Sequence, residues 1–313
     1  MKRLDFGSKN EVEISVYIAF ANTSKKALDL LEDVKKKPSF EVMEETNRWW
    51  KQWISSARLP NSNDSQLRVF SKRALIILKT YTDRESGAIV DSIQPPWQVW
   101  PLDAADHNFA LDLAGYYEMA SKQNYFLSSI QRKEDNPSQP VGTFWEAYYA
   151  DGEEAGPIPF IISWTARVVW IWWEHAKFID DPCERMVYLK RIYPSIKLAL
   201  ETLEKCKDET NNLHCPASCS EDPIPSQALW DASQIHLALI SGVEAGRIIG
   251  EDRDIIDRWE KRASELRDAI LKNREDPEKR KCFHWWIWPM RVILYDSPIM
   301  MNLSDVLWKE LLP

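Results

Sequence analysis

Helical spacing repeated along most of the chain is the feature that most limits what this sequence can fold into. Apolar residues three and four positions apart mark one face of an α-helix. From residue 67 onward this spacing recurs in six segments, at 67–81, 103–122, 161–175, 189–203, 226–249 and 252–273. Long irregular connectors separate them, at 83–96, 128–158 and 211–225. The repeated unit of helix, loop and helix predicts helical hairpins rather than a sheet.

The N-terminal part of the chain follows a different pattern. Residues 12–20 alternate and are rich in Val and Ile, which predicts a β-strand, although no partner strand is evident in the sequence. Residues 24–36 predict a short helix with Ser24 as its N-cap, and residues 40–57 predict a second helix. The composition of residues 59–65 is typical of a linker.

Composition excludes several classes of function. The net charge of −8, without a stripe of Lys and Arg, argues against a nucleic-acid interface. No apolar run approaches the ~18 residues that a membrane span needs. With 9 Gly in the chain, a glycine-rich phosphate loop has no support. The 16 Trp exceed what a core needs, and this excess favours a carbohydrate site.

The cysteines predict neither a disulfide framework nor a metal site. There are 5 of them, an odd number, at scattered positions. His214, Cys215 and Cys219 are close in sequence, but a second paired half is missing, so we expect no zinc and no other cofactor. Charges near the N-terminus break any signal-peptide core. We therefore expect reduced thiols and a cytoplasmic location.

A carboxylate at a loop–helix junction is the first candidate for chemistry. Asp103 follows an aromatic loop that contains Trp97 and Trp100, and it occupies the position of an N-cap for a helix over 103–122. A carboxylate beside indole rings suits a sugar, because the carboxylate accepts hydroxyl hydrogens and the rings cover C–H faces. A capped helix with tryptophans in the core is the alternative.

Acidic residues precede alternate helices of the hairpin series. The three clusters are Asp103 alone, Asp151 with Glu153 and Glu154, and Glu221 with Asp222. If alternate helices form an inner ring, their starts converge at one end, where an acid and a carboxylate could serve a glycoside site. The alternative is that the helix dipole favours acidic residues at any helix start.

The order and spacing of these pieces resemble glycoside hydrolase family 15, the glucoamylase and glucodextranase group. In particular, VWPLDAADHNFALDLAG resembles the family's Trp-Pro-Arg-Asp-Ala loop and the helix after it. The other matching pieces are IAFANTSKKALDLLEDVKKK with TNRWWKQWI, FSKRALIILKTYTDRESGAIVDS, YADGEEAGPIPFIISWTARVVW and CSEDPIPSQALWDASQIHLALISGVEAGRIIG.

The resemblance implies a mostly α fold, an incomplete (α/α)6 barrel. It divides the chain into a β-sandwich remnant (1–22), linker helices (23–63) and a partial catalytic-type domain (64–313). It also implies inverting hydrolysis of terminal α-glucosidic bonds, with Glu221 as the general acid. The implied substrate-binding residues are Trp100, Asp103, Trp145, Asp151 and Asp222.

The sequence departs from the family pattern in three places. Leu102 replaces the family's Arg, Cys219-Ser220 replaces an aromatic residue, and nothing in 281–313 resembles the loop that supplies the general base. We therefore expect the isolated chain to be inactive or nearly so, with α-linked glucosides as ligands and a second polypeptide or self-association completing the barrel. The alternatives are a catalytically dead carbohydrate-binding remnant and a helical interaction scaffold.

Overall fold

The computed structural model describes residues 15–92, 94–134, 136–219 and 222–273. Two compact units divide the chain between Ala57 and Arg58. The domain boundaries at 22/23 and 63/64 stay a prediction.

The first unit contains two helices, α1 (Ser24–Lys35) and α2 (Ser39–Ser55). Thr23 caps α1, because its side chain accepts the backbone N–H of Lys26 at 3.3 Å, so the assignment of Ser24 as N-cap is wrong. Pro38 precedes α2 in an extended conformation.

The strand expected over residues 12–20 is wrong where it can be compared. Residues 15–20 are irregular, and Val16, Ile18 and Phe20 are exposed. The described residues offer them no partner strand, so alternation alone cannot form a ladder there. Residues 12–14 lie outside the described part of the chain.

The second unit is built from helices joined by long connectors and two short hairpins. Its helices are α3 (Ser65–Tyr81), α4 (Pro101–Leu113), α5 (Tyr117–Ile130), α6 (Ile162–Phe178), α7 (Pro182–Lys205), α8 (Leu229–Ile249) and α9 (Arg253–Asn273). The hairpins are antiparallel, β1 (Ala147–Tyr148) with β2 (Glu154–Ala155), and β3 (Ala217–Cys219) with β4 (Asp222–Ser226).

The single helix expected over 103–122 is in fact two helices. Gly115 has a φ of 84°, in the left-handed region that glycine adopts easily, and it ends α4. The backbone N–H of Tyr116 then donates to the carbonyl of Leu111 at 2.8 Å, which closes the turn. Phe109 and Tyr117 therefore belong to different helices instead of sharing one face.

Helices α4, α6 and α8 form an inner row, with α6 packed against both of the others. Along α4 and α6 the contacts advance together, from Asp106–Arg167 through Phe109–Trp170 to Asp112–His175. The first turns of α6 and α8 likewise meet each other, and both helices contribute to a common apolar cluster further along. The three helices are therefore parallel, and their starts lie at one end, as predicted. We call this the helix-start end.

The remaining helices pack behind this inner row. α5 packs on α4, α7 on α6 and α8, and α9 on α8. Many of the tryptophans serve this packing, since Trp164, Trp172 and Trp259 are fully buried. The alternation of inner and outer helices predicted from the hairpin pattern is confirmed in the described residues.

A disulfide joins Cys206 and Cys215 across the turn that follows α7, with the two Cα atoms 4.9 Å apart. Lys207 and His214 pair as an antiparallel bridge just inside it, which brings the two cysteines opposite each other. The expectation of reduced thiols throughout is therefore wrong for this pair. The spacing of nine residues did not predict this disulfide, because the reverse turn between the two cysteines was not predicted.

Among the described helices, none combines the length and apolar character needed to traverse a lipid bilayer.

Candidate functional site

An indole pair forms the aromatic part of the helix-start end. Trp100 is the N-cap residue of α4, and Pro101 is the first helical residue, where its fixed φ suits a helix start. The Trp100 ring stacks on that of Trp164, with centroids 5.8 Å apart and planes 24° apart. Trp164 is 1% exposed and Trp100 is 38% exposed. Trp164 is thus a rigid support, and Trp100 presents its ring to solvent.

Asp103 is in the first turn of α4, two residues after Pro101, and is not the N-cap that the sequence predicted. It is half-buried. Burial raises the pKa of Asp103 to about 6, and the charge of Asp106 adds to that rise. Above that pH Asp103 is an ionised acceptor in the helix turn that Trp100 caps.

Asp91 connects the preceding loop to this site, and the sequence analysis missed it. Its Oδ2 accepts the backbone N–H of Trp100 at 2.7 Å. Its own N–H donates to the carbonyl of Gln98 at 2.9 Å. Burial raises the pKa of Asp91 to about 8, and the nearby charge of Asp103 contributes. Two neighbouring carboxyl groups with separated pKa values are typical of an acid–base site.

An ion pair lies one helical turn beyond the indole pair. Arg167 donates to Asp106 Oδ1 at 2.6 Å, and its guanidinium carbon lies 4.1 Å from the centroid of the Trp170 ring. Both members were missed by the sequence analysis. The available signal was their spacing, because Asp106 follows Asp103 by three residues and Arg167 follows Trp164 by three.

A buried carboxylate marks the start of α8. Asp231 is 0% exposed, and its carboxyl group lies against the hydroxyl of Ser163 in the first turn of α6. Burial raises the pKa of Asp231 to about 6, while nearby His214 opposes the rise. The ring nitrogens of His214 face the carbonyls of Cys215 and Ala228, at 2.6 and 3.1 Å. Asp231 was not among the predicted site residues, although it opens the helix that follows Glu221.

The predicted residues of the middle connector belong to the β1–β2 hairpin. Asp151 is exposed, and its Oδ1 accepts the N–H of Glu153 at 3.0 Å within the hairpin turn. Trp145 is half-buried and donates its indole N–H to the carbonyl of Gly156 at 3.0 Å. The hairpin adjoins the Trp100 loop, because Tyr148 pairs with Val99. The sugar-binding roles of Asp151 and Trp145 stay predictions.

Glu221, the predicted general acid, lies outside the described residues. Asp222 begins β4, where its backbone pairs with that of Cys219. The roles of both residues therefore stay predictions.

Two other features of the described residues do not contribute to this site. A groove of about 280 Å³ lies on α3, and none of its lining residues (Ser65, Gln66, Val69, Phe70 and Arg73) is a candidate for sugar binding. No group of three or more His, Cys, Asp or Glu among the described residues is arranged to hold a metal ion.

The fold is that of glycosidases of the (α/α)6 type. The chain is similar to a rhamnosidase from Klebsiella oxytoca solved with rhamnose bound, with a TM-score of 0.56, 11% identity, and coverage of 81% of this chain and 49% of that one. It is also similar to a glycosidase variant, with a TM-score of 0.53, 14% identity, and coverage of 67% and 59%.

A further glycosidase variant, solved in complex with glucose, matches with a TM-score of 0.51, 14% identity, and coverage of 67% of this chain and 59% of that chain. The chain thus spans between half and three fifths of the length of these structures. No family model matches the sequence, and no curated protein matches it. The comparisons therefore support the fold alone, and the resemblance to glycoside hydrolase family 15 stays a prediction.

Proposed function

We propose that this protein is a glycoside hydrolase-type protein that binds the terminal sugar of an α-glucoside at the helix-start end. The observation that carries the proposal is the exposed ring of Trp100, stacked on buried Trp164 at the N-cap of the helix whose first turn holds half-buried Asp103. A preorganised apolar surface with a few convergent polar groups is the usual form of a small-molecule site.

Each part of this arrangement has a role in holding a sugar. The flat face of Trp100 covers C–H groups, and Trp164 behind it fixes the orientation of the ring. Asp103 accepts hydroxyl hydrogens once it is ionised, and hydrogen bonds to a charged acceptor are stronger than neutral ones.

We further propose Glu221 as the general acid and Asp222 as its substrate-binding neighbour, in an inverting mechanism. The resemblance to glycoside hydrolase family 15 supports these roles. Also in favour is the short distance along the chain between this loop and α8, which begins at Leu229 at the helix-start end. Asp151 and Trp145 are proposed to bind more distant parts of the substrate, because their hairpin pairs with the Trp100 loop.

Calorimetric titration with maltose, isomaltose, trehalose and rhamnose tests the binding site. Rhamnose and glucose units are both included, because similar structures bind them. We expect the glucosides to bind, and Trp100→Ala and Asp103→Asn to weaken binding about tenfold or more. Trp49→Ala is the matched control, since Trp49 is an exposed indole of the first unit. Equal effects at Trp49 and Trp100 would contradict the proposal.

Chromatography of the same sugars after incubation tests the chemistry. Glucose release that Glu221→Gln abolishes and the exposed control Glu118→Gln preserves would establish the general acid. Turnover retained in Glu221→Gln would remove Glu221 from that role. Sugar binding without glucose release would favour the carbohydrate-binding alternative, and self-association without any sugar affinity would favour the interaction scaffold.

A further inference from the structure

We propose that Asp91 is a positioning residue of the sugar site, acting through a single proton that it shares with His107. This inference rests on the proposed function for its consequence, but the proton pair itself is testable without any sugar.

The contacts of Asp91 place it between the indole loop and the body of α4. One carboxyl oxygen, Oδ2, accepts the N–H of Trp100, the residue that precedes the first turn of α4. The other oxygen, Oδ1, lies 3.5 Å from Nδ1 of His107, which is on α4 itself. Neither Oδ1 nor Nδ1 has a hydrogen-bond partner among the described residues. The carboxyl group thus spans from the backbone of Trp100 to the side chain of His107.

The environment favours one proton on this pair rather than two charges. Burial is the main cause on both sides, since it raises the pKa of Asp91 to about 8 and lowers the pKa of His107 to about 4. The charge of Asp103 adds to the rise at Asp91, and that of Asp106 partly opposes the fall at His107. Asp106 is in turn paired with Arg167. A proton on Oδ1 directed at Nδ1 of a neutral imidazole gives each of these two atoms a partner once their 3.5 Å separation shortens slightly.

The number of protons on the pair determines how folding stability depends on pH, and the expected dependence differs from that of an ordinary buried pair. Between pH 4 and 6.5 the folded pair holds one proton, and so does the unfolded pair, whose ordinary pKa values are 3.8 and 6.5. Folding is then independent of pH as far as this pair is concerned. Between pH 6.5 and 8 the folded pair keeps its proton while the unfolded pair has lost it, so stability falls as the pH rises.

Two measurements on the sugar-free protein test the pair. In nitrogen-15 spectra of labelled histidine, assigned with His107→Gln, we expect His107 to remain a neutral Nε2–H tautomer from pH 5 to 7.5. The folding equilibrium constant of the wild type, divided by that of Asp91→Asn/His107→Gln, should be flat from pH 4.5 to 6.5. It should then fall by up to about tenfold per pH unit up to pH 8. An imidazolium signal at pH 6, or a ratio without this break, would overturn the inference.

Sugar titrations test the positioning role. Asp91→Ala should weaken binding about five- to tenfold, the cost of one lost hydrogen bond to the backbone of the stacking residue. Asp91→Asn retains an acceptor for the Trp100 N–H and should bind within about twofold of wild type. The wild type and Asp180→Asn should lose affinity between pH 7 and 9, when Asp91 ionises near Asp103, whereas the two Asp91 variants should not. Asp180→Asn, on an exposed carboxylate, controls for charge.

The outcomes separate the two claims. If Asp91→Ala binds sugar as wild type does while Trp100→Ala does not, the positioning role is wrong and the sugar site stands. If no variant and no wild type binds sugar, the proposed function fails, whereas the histidine spectra still decide the proton pair.

Discussion

The rings of Trp100 and Trp164 stack 5.8 Å apart at the starts of two neighbouring helices, one ring exposed and one buried. The pair contributes to both the fold and the proposed function, because the buried ring packs in the core and also fixes the orientation of the exposed ring. Removal of the Trp100 ring should therefore have a different consequence from removal of the Trp164 ring.

Trp100→Ala should affect sugar binding, and Trp164→Ala should affect folding. Trp164 is 1% exposed, so its truncation leaves a large cavity and should cost about 3–5 kcal/mol of unfolding free energy. Trp100 is partly exposed and should cost about 1–2 kcal/mol, chiefly through the lost stacking. Urea unfolding followed by circular dichroism measures both. A larger loss for Trp100 than for Trp164 would contradict this division.

Sugar affinity should rise with pH between about 5 and 7. Burial raises the pKa of Asp103 to about 6, so the carboxyl group is protonated below that pH and ionised above it. Only the ionised form accepts hydroxyl hydrogens with both oxygens. Calorimetric titrations at pH 5, 6 and 7 measure the trend, and Asp103→Asn should show no change over this window. An affinity that falls over the same range would exclude Asp103 as the acceptor.

His175→Ala should destabilise the helical core by about 3–5 kcal/mol, because it removes one partner of a buried pair. Asp112 Oδ1 lies 2.7 Å from His175 Nδ1, and both side chains are fully buried. Ser121 completes the chain, with its hydroxyl 2.7 Å from His175 Nε2. The double variant Asp112→Asn/His175→Gln should lose less, since no lone carboxylate remains. A lower free energy of unfolding in urea for the double variant than for His175→Ala would contradict this explanation.

Reduction of the Cys206–Cys215 disulfide should lower stability by about 2.5 kcal/mol, the value expected from loop-closure entropy for a short loop. The bond closes a loop with a sequence separation of nine residues. Thermal unfolding with and without a reductant measures the loss, and Cys206→Ser/Cys215→Ser should be insensitive to the reductant. Exposed Cys183 provides the control, since Cys183→Ser should keep the full response. A reductant response of similar size in the double variant would rule out this assignment.

The helical architecture could be predicted from the sequence because it depends on local periodicity. The apolar spacing that starts at Ile161 and at Leu189 corresponds to α6 and α7, with differences at the ends only. The same spacing continued across Gly115, where a left-handed residue ends α4. Periodicity does not detect such a break, because α4 and α5 both place apolar residues toward the same core.

The site could be predicted only in part, because its residues come from separate segments. Trp100 and Asp103 were identified from one continuous loop and helix start. Asp91 was missed because its role depends on contacts with the Trp100 backbone and with His107, which only the folded loop creates. Burial, which decides the pKa values of these carboxyl groups, is likewise not visible in a single sequence.

A structure of crystals soaked with maltose tests the central claim most directly. We predict a glucose ring packed against the exposed face of Trp100, with one or more hydroxyls within hydrogen-bond distance of Asp103. A maltose molecule bound elsewhere on the chain, with the Trp100 face and Asp103 left in contact with solvent, would contradict the proposed site.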